Sequence, residues 1–573
     1  MEPVASPQSF PALLAAETQV LSTYDILERI VCLDVLDRQD MINCAVVCRS
    51  WSDLALNELW SHSSFDDLLH LFPSIAKTHK QDGELEWSIG NISIAHWDRF
   101  LHYSKRVTTL EAIRSIPDLL IWEISFSRPG VALFPRLKKV LWQADRSSTD
   151  NWIKFSRIFL QTNLSDLAIS PHVDKDESIA GFISELPTRT PYLSSLHVEM
   201  PPVHAQAMST FLFRTRLKDT LLLLPNLVML SLHYETPSSV IGMIAKLPKL
   251  RTLSLGLASK KRNENFVWSI NIENPFPNLT SLEIIRGRIR SIDQLLDAIA
   301  NKHALTALTV SIVDFTELAL ETFIQNLQST CPALEHLSLR QDKLDRPAFA
   351  NFFEWSLRST PSLPRAMLEL LKGFRQLKRL HIAYYRSSDM TDDDFMELIG
   401  ALPNLTALKL ICIPTTTEHP ALTLKVLHRL AHFYRDRSNH SRLTYLHLQI
   451  DASTWPDETV DALLSSAETY KLDSLDVLSL SASPISSVDD TALYLSNMIP
   501  SSAKLITDAL DEECLPLGST PEGNENHAED VKEMESRKAK WSEVCKQVKG
   551  FRRVQSVLAR RTAQNRVDMP LPN

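Results

Sequence analysis

Aliphatic residues recur through the middle of the chain in the pattern L-x-x-L-x-L, in which x is most often polar. Copies begin at Leu137, Leu164, Leu193, Leu227, Leu250, Leu279, Leu305, Leu334, Leu377, Leu405, Leu443 and Leu475. Proline precedes the first leucine by two residues at Pro135, Pro191, Pro225, Pro248, Pro277, Pro332 and Pro403. A proline there cannot continue a helix but tolerates the start of a strand. Each copy therefore predicts a short strand that buries its last two aliphatic residues and turns the residues between them to the other face.

Most copies follow a stretch with the apolar spacing of a helix: 239–247, 291–300, 319–327, 391–402 and 422–433. Each unit thus reads as helix, short loop and strand. A single unit cannot bury its strand face alone, so neighbouring units are expected to stack into a curved solenoid, with a parallel sheet inside and helices outside. Longer intervals after Leu334 and Leu405 predict inserted loops.

The residues before this array show a different pattern. Apolar residues have helical spacing over 25–32 and 40–48, with Asp25 and Asp40 as expected N-caps. About 40 residues make too small a core to stand alone, so the block is expected to pack on a partner helix or on the solenoid. The alternative is that these helices only cap the solenoid and that their large apolar residues are core.

Two sequence features resemble known families. Val46-Val47-Cys48-Arg49-x-Trp51, followed by Leu59-Trp60, resembles an F-box, although Ser22-Thr23 replaces the usual opening Leu-Pro. The segments LPNLVMLSL at 224–232 and LPNLTALKL at 402–410 resemble leucine-rich repeats, although the asparagine or cysteine expected after the strand is mostly missing. The resemblance implies an α/β chain: a short all-helical F-box followed by a leucine-rich-repeat solenoid.

The resemblance also implies a function. F-box helices bind the Skp-type adaptor of a cullin–RING ubiquitin ligase, and the repeats would hold a target protein, which one sequence does not name. The F-box candidates for adaptor binding are Ile26, Leu27, Ile30, Leu36, Met41, Val47, Cys48, Trp51, Leu54, Leu59 and Trp60. The alternative is an interaction scaffold that uses the same solenoid without a ligase.

The expected organisation along the chain follows from these patterns. The segments are a flexible N-terminus (1–19), the F-box (20–62), a connecting and capping region (63–130), the repeats (131–485), a C-terminal cap (486–510), an acidic flexible linker (511–535), a basic amphipathic helix (536–566) and a tail (567–573). Residues 537–566 carry ten Lys or Arg against one acid, in a chain of net charge −9. That helix suggests nuclear import, an anionic partner or membrane-surface contact, or simply a helix docked by its apolar stripe.

The strand residues that alternate with the buried aliphatics would line the concave face of the solenoid. The candidates for target binding are His197, His233, Glu283, His336, Arg340, Arg379, His381, Lys409 and His447. They predict a polar surface for a protein segment, with pH-sensitive affinity; alternatively, histidine and serine are merely convenient half-polar residues on a strand. Charge on this face is nearly balanced, which disfavours nucleic acid.

Composition argues against catalysis and cofactors. Only 12 of 573 residues are glycine, and neither GxxxxGK[ST] nor GxGxxG occurs, which excludes the usual phosphate-binding loops. No HExxH or GxSxG motif is present, so a non-catalytic protein without a small-molecule substrate is expected. Cys44 and Cys48 lie one helical turn apart but have no further ligand at a matching spacing, so small buried residues are expected rather than a metal site. Scattered cysteines, and the absence of a signal-like start or an apolar run of membrane-spanning length, predict an intracellular protein, cytoplasmic or nuclear.

Overall fold

Helices and strands alternate along the chain, which divides by its internal contacts into two units, Met1–Arg251 and Thr252–Asn573. The computed structural model describes residues 23–31, 36–79, 85–112, 118–128, 130–143, 150–170, 176–199, 211–257, 272–313, 317–341, 365–384, 389–412, 419–437, 440–453, 471–480, 483–506 and 525–567. The expected flexible N-terminus, the linker up to residue 524 and the tail after 567 lie outside these residues.

The first unit begins with three helices and continues as strands and helices in alternation. Its helices are α1 (Tyr24–Val31), α2 (Arg38–Ala45), α3 (Arg49–Ser61), α4 (Phe65–Leu69), α5 (Ile94–Ser104), α6 (Asp118–Ser127), α7 (Asp150–Phe155), α8 (Asp176–Arg189), α9 (Phe211–Leu222) and α10 (Ser238–Ile244). Its strands are β1 (His62–Ser64), β2 (Ile75–His79), β3 (Leu85–Ile89), β4 (Thr109–Ala112), β5 (Lys139–Gln143), β6 (Asp166–Ser170), β7 (Ser195–Glu199) and β8 (Met229–Glu235).

Six of these strands form a parallel sheet in the order β1-β4-β5-β6-β7-β8, and β2 and β3 form a separate antiparallel hairpin. Leu110, Val140, Leu167, Leu196 and Leu230 stand in register across β4–β8, and each is at most 1% exposed. Burying this row is what forces successive strands to stack, because no single strand can cover its own aliphatic side chains.

The second unit continues the same alternation. Its strands are β9 (Thr252–Gly256), β10 (Ser281–Gly287), β11 (Ala307–Ile312), β12 (His336–Gln341), β13 (Arg379–Tyr384), β14 (Ala407–Cys412), β15 (Tyr445–His447), β16 (Val477–Ser479) and β17 (Lys504–Ile506). All nine pair in parallel and in sequential order. Its helices are α11 (Ile289–Ala298), α12 (Glu317–Thr330), α13 (Arg365–Leu371), α14 (Asp392–Ala401), α15 (Lys425–Asp436), α16 (Val488–Met498) and α17 (Glu525–Val567).

The predicted fold class is confirmed: N-terminal helices precede parallel strands flanked by helices, as in a leucine-rich-repeat solenoid. Each of the twelve leading leucines is at most 2% exposed, and a strand begins two residues after every one of them. The five predicted helices appear within a few residues of their expected bounds, as α10, α11, α12, α14 and α15.

The sheet extends beyond the predicted repeat region of 131–485. Strand β1 begins at the last residue of the expected F-box and continues into the expected connector, β4 lies in that connector, and β17 lies in the expected C-terminal cap. Their leading positions hold Trp60, Val107 and Ser502, so the pattern that reveals the other strands is absent there. The acidic linker is also shorter than expected, because α17 begins at Glu525.

Neither predicted N-cap near the N-terminus is correct. Asp25 lies within the first turn of α1, which begins at Tyr24. Asp37, not Asp40, is the N-cap of α2, because its side chain accepts a hydrogen bond from the Asp40 backbone N–H at 2.8 Å. The Asp40 carboxylate reaches back to the Asp37 N–H at 3.3 Å, which completes a capping box. Among the described helices, none combines the length and the apolar character needed to cross a membrane.

Candidate protein-interaction sites

The three N-terminal helices enclose a small core of their own. Leu27, Val31, Met41 and Leu54 are at most 6% exposed and form one cluster. Leu36, Trp51 and Leu59 pack around it. Helical spacing alone brings these residues together, because α1 and α2 both turn one apolar stripe toward α3. The core is closed without help from a partner.

Several large apolar residues of the same helices remain exposed. Val46 and Val47, in the turn after α2, are 81% and 64% exposed. Tyr24 and Ile26 on α1 are 54% and 37% exposed, and Ile42 on α2 is 43% exposed. These five side chains are called the exposed N-terminal set below. Since the helices already have a core, the set is surface available to a partner.

The adaptor-binding candidates therefore divide into two groups. Ile26, Val47 and Cys48 are exposed, and Ile30 is half-buried. Leu27, Met41 and Leu54 are buried, with Leu36, Trp51 and Leu59 packed on them, so the structure assigns these six to the internal core rather than to a contact surface.

The remaining candidate, Trp60, has a different position. The centroid of its ring lies 4.7 Å from that of Tyr103 on α5. Trp60 stands two residues before β1, at the position that a leucine occupies before the later strands. Sequence reasoning missed Tyr24, Ile42 and Val46. A usable signal for Val46 was its place beside Val47 in the segment Val46-Val47-Cys48-Arg49-x-Trp51 that resembles an F-box.

The N-terminal helices are joined to the sheet of the first unit through Arg106. Its guanidinium, 6% exposed, donates to the backbone oxygen of Asp53 at 3.1 Å and to the Asp53 carboxylate at 2.8 Å. It also donates to the side-chain oxygen of Asn57. The hydrogen bond from Arg106 to the Asp53 carboxylate holds the pKa of Asp53 below its usual range. In addition, α3 runs directly into β1, which pairs with β4.

The second candidate surface consists of the strand positions that alternate with the buried aliphatic residues, called the open face here. In the second unit these positions form rows across the strands. The central row runs Ser254, Glu283, Thr309, Ser338, His381, Lys409, His447 and Ser479. The row beside it places His336 directly opposite Arg379. The predicted concave-face residues of this unit thus share one face.

The open-face residues differ in their exposure and contacts. Arg379 is exposed, while His336, Arg340, His381 and Lys409 are half-buried. His447 is only 3% exposed, so it is part of the packed sheet rather than an open contact residue.

Short polar contacts link neighbouring strands on this face. The Ser338 hydroxyl lies 3.2 Å from His381 Nδ1, and Arg340 Nε donates to the same hydroxyl at 3.3 Å. Ser254 donates to the Glu283 carboxylate at 2.8 Å, two strands away from this cluster.

Two further predicted residues lie in the first unit. His197 on β7 and His233 on β8 have ring centroids 4.4 Å apart and nearly perpendicular planes. They form a pair on the open face of that unit.

Burial and charge act together on His336. Burial lowers the pKa of its imidazole, and the Arg379 guanidinium on the next strand lowers it further. A neutral imidazole beside an arginine can accept as well as donate a hydrogen bond. The expected pH sensitivity of this face stays a prediction.

The described residues offer no group of three or more His, Cys, Asp or Glu side chains placed to hold a metal ion. Cys44 is half-buried and Cys48 exposed, so the expectation that both are buried is wrong. The turn between α2 and α3 explains this, since it directs Val46, Val47 and Cys48 to the surface.

The basic C-terminal helix docks on the last repeat through an apolar stripe. Trp541, Val544 and Val548 on α17 are at most 1% exposed, and Arg537 next to this stripe is 5% exposed. Trp541 Nε1 donates to the Ser483 backbone oxygen at 2.9 Å. Farther along the helix, Val554, Val557 and Leu558 are about half-exposed, between 49% and 57%. The alternative of a helix docked by its apolar stripe therefore describes α17 as far as Val548, but not the segment from Val554 to Leu558.

Comparison with known proteins adds one family match. The F-box-like family profile matches residues 24–66, which are α1–α3, β1 and the start of α4. No curated protein matches the chain. A leucine-rich-repeat protein of Leptospira interrogans is similar in structure, with a TM-score of 0.28 and 13% identity, over 71% of this chain and 92% of that chain. At that TM-score the repeat assignment rests on this chain's own strand order and leucine register. Residues 24–66 are an F-box-like domain, and leucine-rich-type repeats follow it.

Proposed function

We propose that this protein is the substrate-recognition subunit of a Skp–cullin–F-box ubiquitin ligase. The F-box-like match at 24–66 and the repeats support a protein-interaction role. The observation that carries the finer proposal is the exposed N-terminal set: these helices close their own core with other residues and still leave five large apolar side chains at the surface. Surfaces of this kind mark protein interfaces.

The mechanism would be proximity rather than chemistry. The F-box-like domain would bind the Skp-type adaptor and, through it, the cullin–RING ligase, while the open face of the repeats would hold a target protein. Bringing the target's lysines near the ligase raises their effective concentration there. This role needs neither a cofactor nor a catalytic residue, and it places the protein in the cytoplasm, the nucleus or both.

A pull-down with purified Skp-type adaptor tests the proposal. The full chain is compared with the double variant Val46→Glu, Val47→Glu, which puts two charges where apolar contact is expected. Losing two valines that the adaptor would cover on binding should weaken binding by about 3 kcal/mol, or roughly a hundredfold in affinity. The matched control is Leu119→Glu, a similarly exposed aliphatic residue (75%) on α6 of the same unit. It should bind like the unchanged chain.

Two outcomes would contradict the ligase role. One is a full-length chain that does not bind the adaptor, which favours a ligase-independent scaffold built on the same repeats. The other is a double variant that binds as well as the unchanged chain. Equal thermal melting of the three proteins shows that any loss is not caused by unfolding, as expected for valines that are 81% and 64% exposed.

A further inference from the structure

Charge is unevenly distributed along the open face of the second unit. The open-face positions of β11–β15 include Arg340, Arg379 and Lys409, together with His336 and His381, and no aspartate or glutamate. The acid predicted for this face, Glu283, lies on β10, beyond β11. Positive and negative charges are nearly balanced over all the predicted open-face positions. On β11–β15, however, the charged open-face residues are all basic.

The five residues of this group, called the basic strip here, lie on three consecutive strands. Parallel strands are about 4.8 Å apart, so Arg379 on β13 lies about one strand spacing from His336 and from the strand of Lys409. Arg379 is exposed and forms no ion pair among the described residues. By contrast Lys378, one residue earlier and off the face, pairs with Glu335 at 2.8 Å.

Donor groups converge within the strip. The contacts of Ser338 with His381 and Arg340 hold those two side chains next to each other. Burial lowers the pKa of His336, and the positive charge of Arg379 on the next strand lowers it further. Guanidinium and ammonium groups on a fixed strand face form their strongest hydrogen bonds with carboxylates and other oxyanions.

We propose that the basic strip binds an acidic, extended segment of the target protein, with its carboxylates accepting hydrogen bonds from Arg379 and Lys409. The inference rests on the proposed function, because it names the target chemistry of the repeats. The open face from β11 to β15 spans four strand spacings, about 19 Å, which an extended peptide of roughly six residues covers. Small neighbours such as Ala307, Ala383 and Ala407 leave room for such a backbone.

Nucleic acid fits this face less well. Binding of single strands uses aromatic platforms on which bases stack, as well as a basic groove. Among the open-face positions of β11–β15, Tyr445 is the one non-histidine aromatic residue. Three permanent cations match a short acidic peptide better than a phosphate backbone that carries a charge at every nucleotide.

The test measures fluorescence anisotropy of a labelled peptide of alternating Glu and Ser against the full chain. The variant is Arg379→Glu, Lys409→Glu, which reverses two charges on the strip. The control is Lys378→Glu, which reverses one charge beside the strip but off the face. Affinity should fall roughly tenfold or more in the double variant and change less than about twofold in the control. A peptide with Gln in place of Glu should bind at least roughly tenfold more weakly.

Several results would overturn the inference. These are no saturable binding of the acidic peptide, equal binding of the Gln peptide, or a double variant as tight as the unchanged chain. Binding of a phosphoserine peptide or a single-stranded oligonucleotide, but not of the Glu peptide, would assign the strip to another ligand. The single variant Arg379→Gln, at an exposed residue, gives the same reading if the double variant does not fold.

The two proposals fail separately. The double variant of the strip should still capture the Skp-type adaptor, because Arg379 and Lys409 belong to the second unit and the exposed N-terminal set to the first. Adaptor capture without peptide binding removes only the target chemistry. Peptide binding without adaptor capture leaves an acidic-segment binder and removes the ligase role.

Discussion

At the scale of single residues, Asp293 shows how burial and neighbouring charge combine. It lies half-buried on α11, one helical turn before Asp297. Burial, together with the nearby Asp297 carboxylate, raises the pKa of Asp293 from 3.8 to about 6. A pKa that is higher in the folded chain than in the unfolded chain means that the neutral acid stabilises the fold below pH 3.8. This contribution is lost as the pH rises through about 6.

Asp293→Asn should therefore stabilise the protein at pH 7.5 by about 1–2 kcal/mol, discounted for partial exposure, because it keeps the shape and removes the charge. Its advantage should shrink toward pH 4.5. Thermal melting at the two pH values measures this. Asp297→Asn is the comparison, since Asp297 is 75% exposed and pairs with Lys302. A melting shift for Asp293→Asn that is equal at both pH values would refute the explanation.

The N-terminal helices show the limit of what apolar spacing can predict. Periodicity correctly gave α1, α2 and their burial, since a stripe such as Leu27, Val31 and Met41 must pack somewhere. It could not separate the core from the contact surface, because both consist of aliphatic residues. Only the packing of α3 decides that Leu54 is covered while Val47 is exposed.

At the scale of elements, strands were predictable where a leading leucine is present. Polar residues just before the strands add a second regularity that sequence analysis missed. The side-chain amides of Asn163, Asn226 and Asn404 each donate to a backbone oxygen of the preceding repeat, at 3.0–3.2 Å. Each asparagine directly precedes a leading leucine. These asparagines thus link neighbouring repeats before the strand, whereas the asparagine or cysteine typical of leucine-rich repeats was expected after it. Its signal was the repeated Asn-Leu pair.

Docking of α17 gives the prediction that belongs to this scale. Trp541 is fully buried and donates a hydrogen bond to the Ser483 backbone oxygen. Trp541→Ala should therefore weaken the packing of α17 on α16 by about 3–5 kcal/mol. Hydrogen–deuterium exchange of the full chain should show faster exchange in both helices. Val554→Ala on the same helix, at a residue 57% exposed, should leave the exchange unchanged. Unaltered protection in the tryptophan variant would show that α17 is held by other contacts.

At the scale of the whole molecule, the question is how the F-box-like domain is attached to the repeats of its unit. Three features make the attachment: the continuous chain from α3 into β1, the Trp60–Tyr103 contact and the hydrogen bonds of Arg106. Sequence could not predict the last of these, because Arg106 and Asp53 are 53 residues apart. Only the strand pairing of β1 with β4 brings them together.

Arg106→Met should loosen this attachment. It removes several hydrogen bonds of a buried guanidinium and should cost about 1–3 kcal/mol, because its ionic partner Asp53 is 70% exposed. Amide exchange in α3 and β1 should accelerate while α1 and α2 keep their protection. Lys105→Met, at the exposed neighbouring residue, is the control. Exchange that rises equally in all three helices would instead indicate global destabilisation.

The contacts of α17 with β17 determine where the sheet stops growing. β17 is the last strand in the order, so its outer edge would offer unpaired backbone groups to another chain. The Leu505 oxygen instead accepts from the Cys545 thiol at 3.8 Å, and the Ala503 oxygen accepts from Arg552 at 3.1 Å. The protein's own helix thus occupies the position at which a second molecule could add a strand, and polymerisation through this edge is blocked while α17 stays docked.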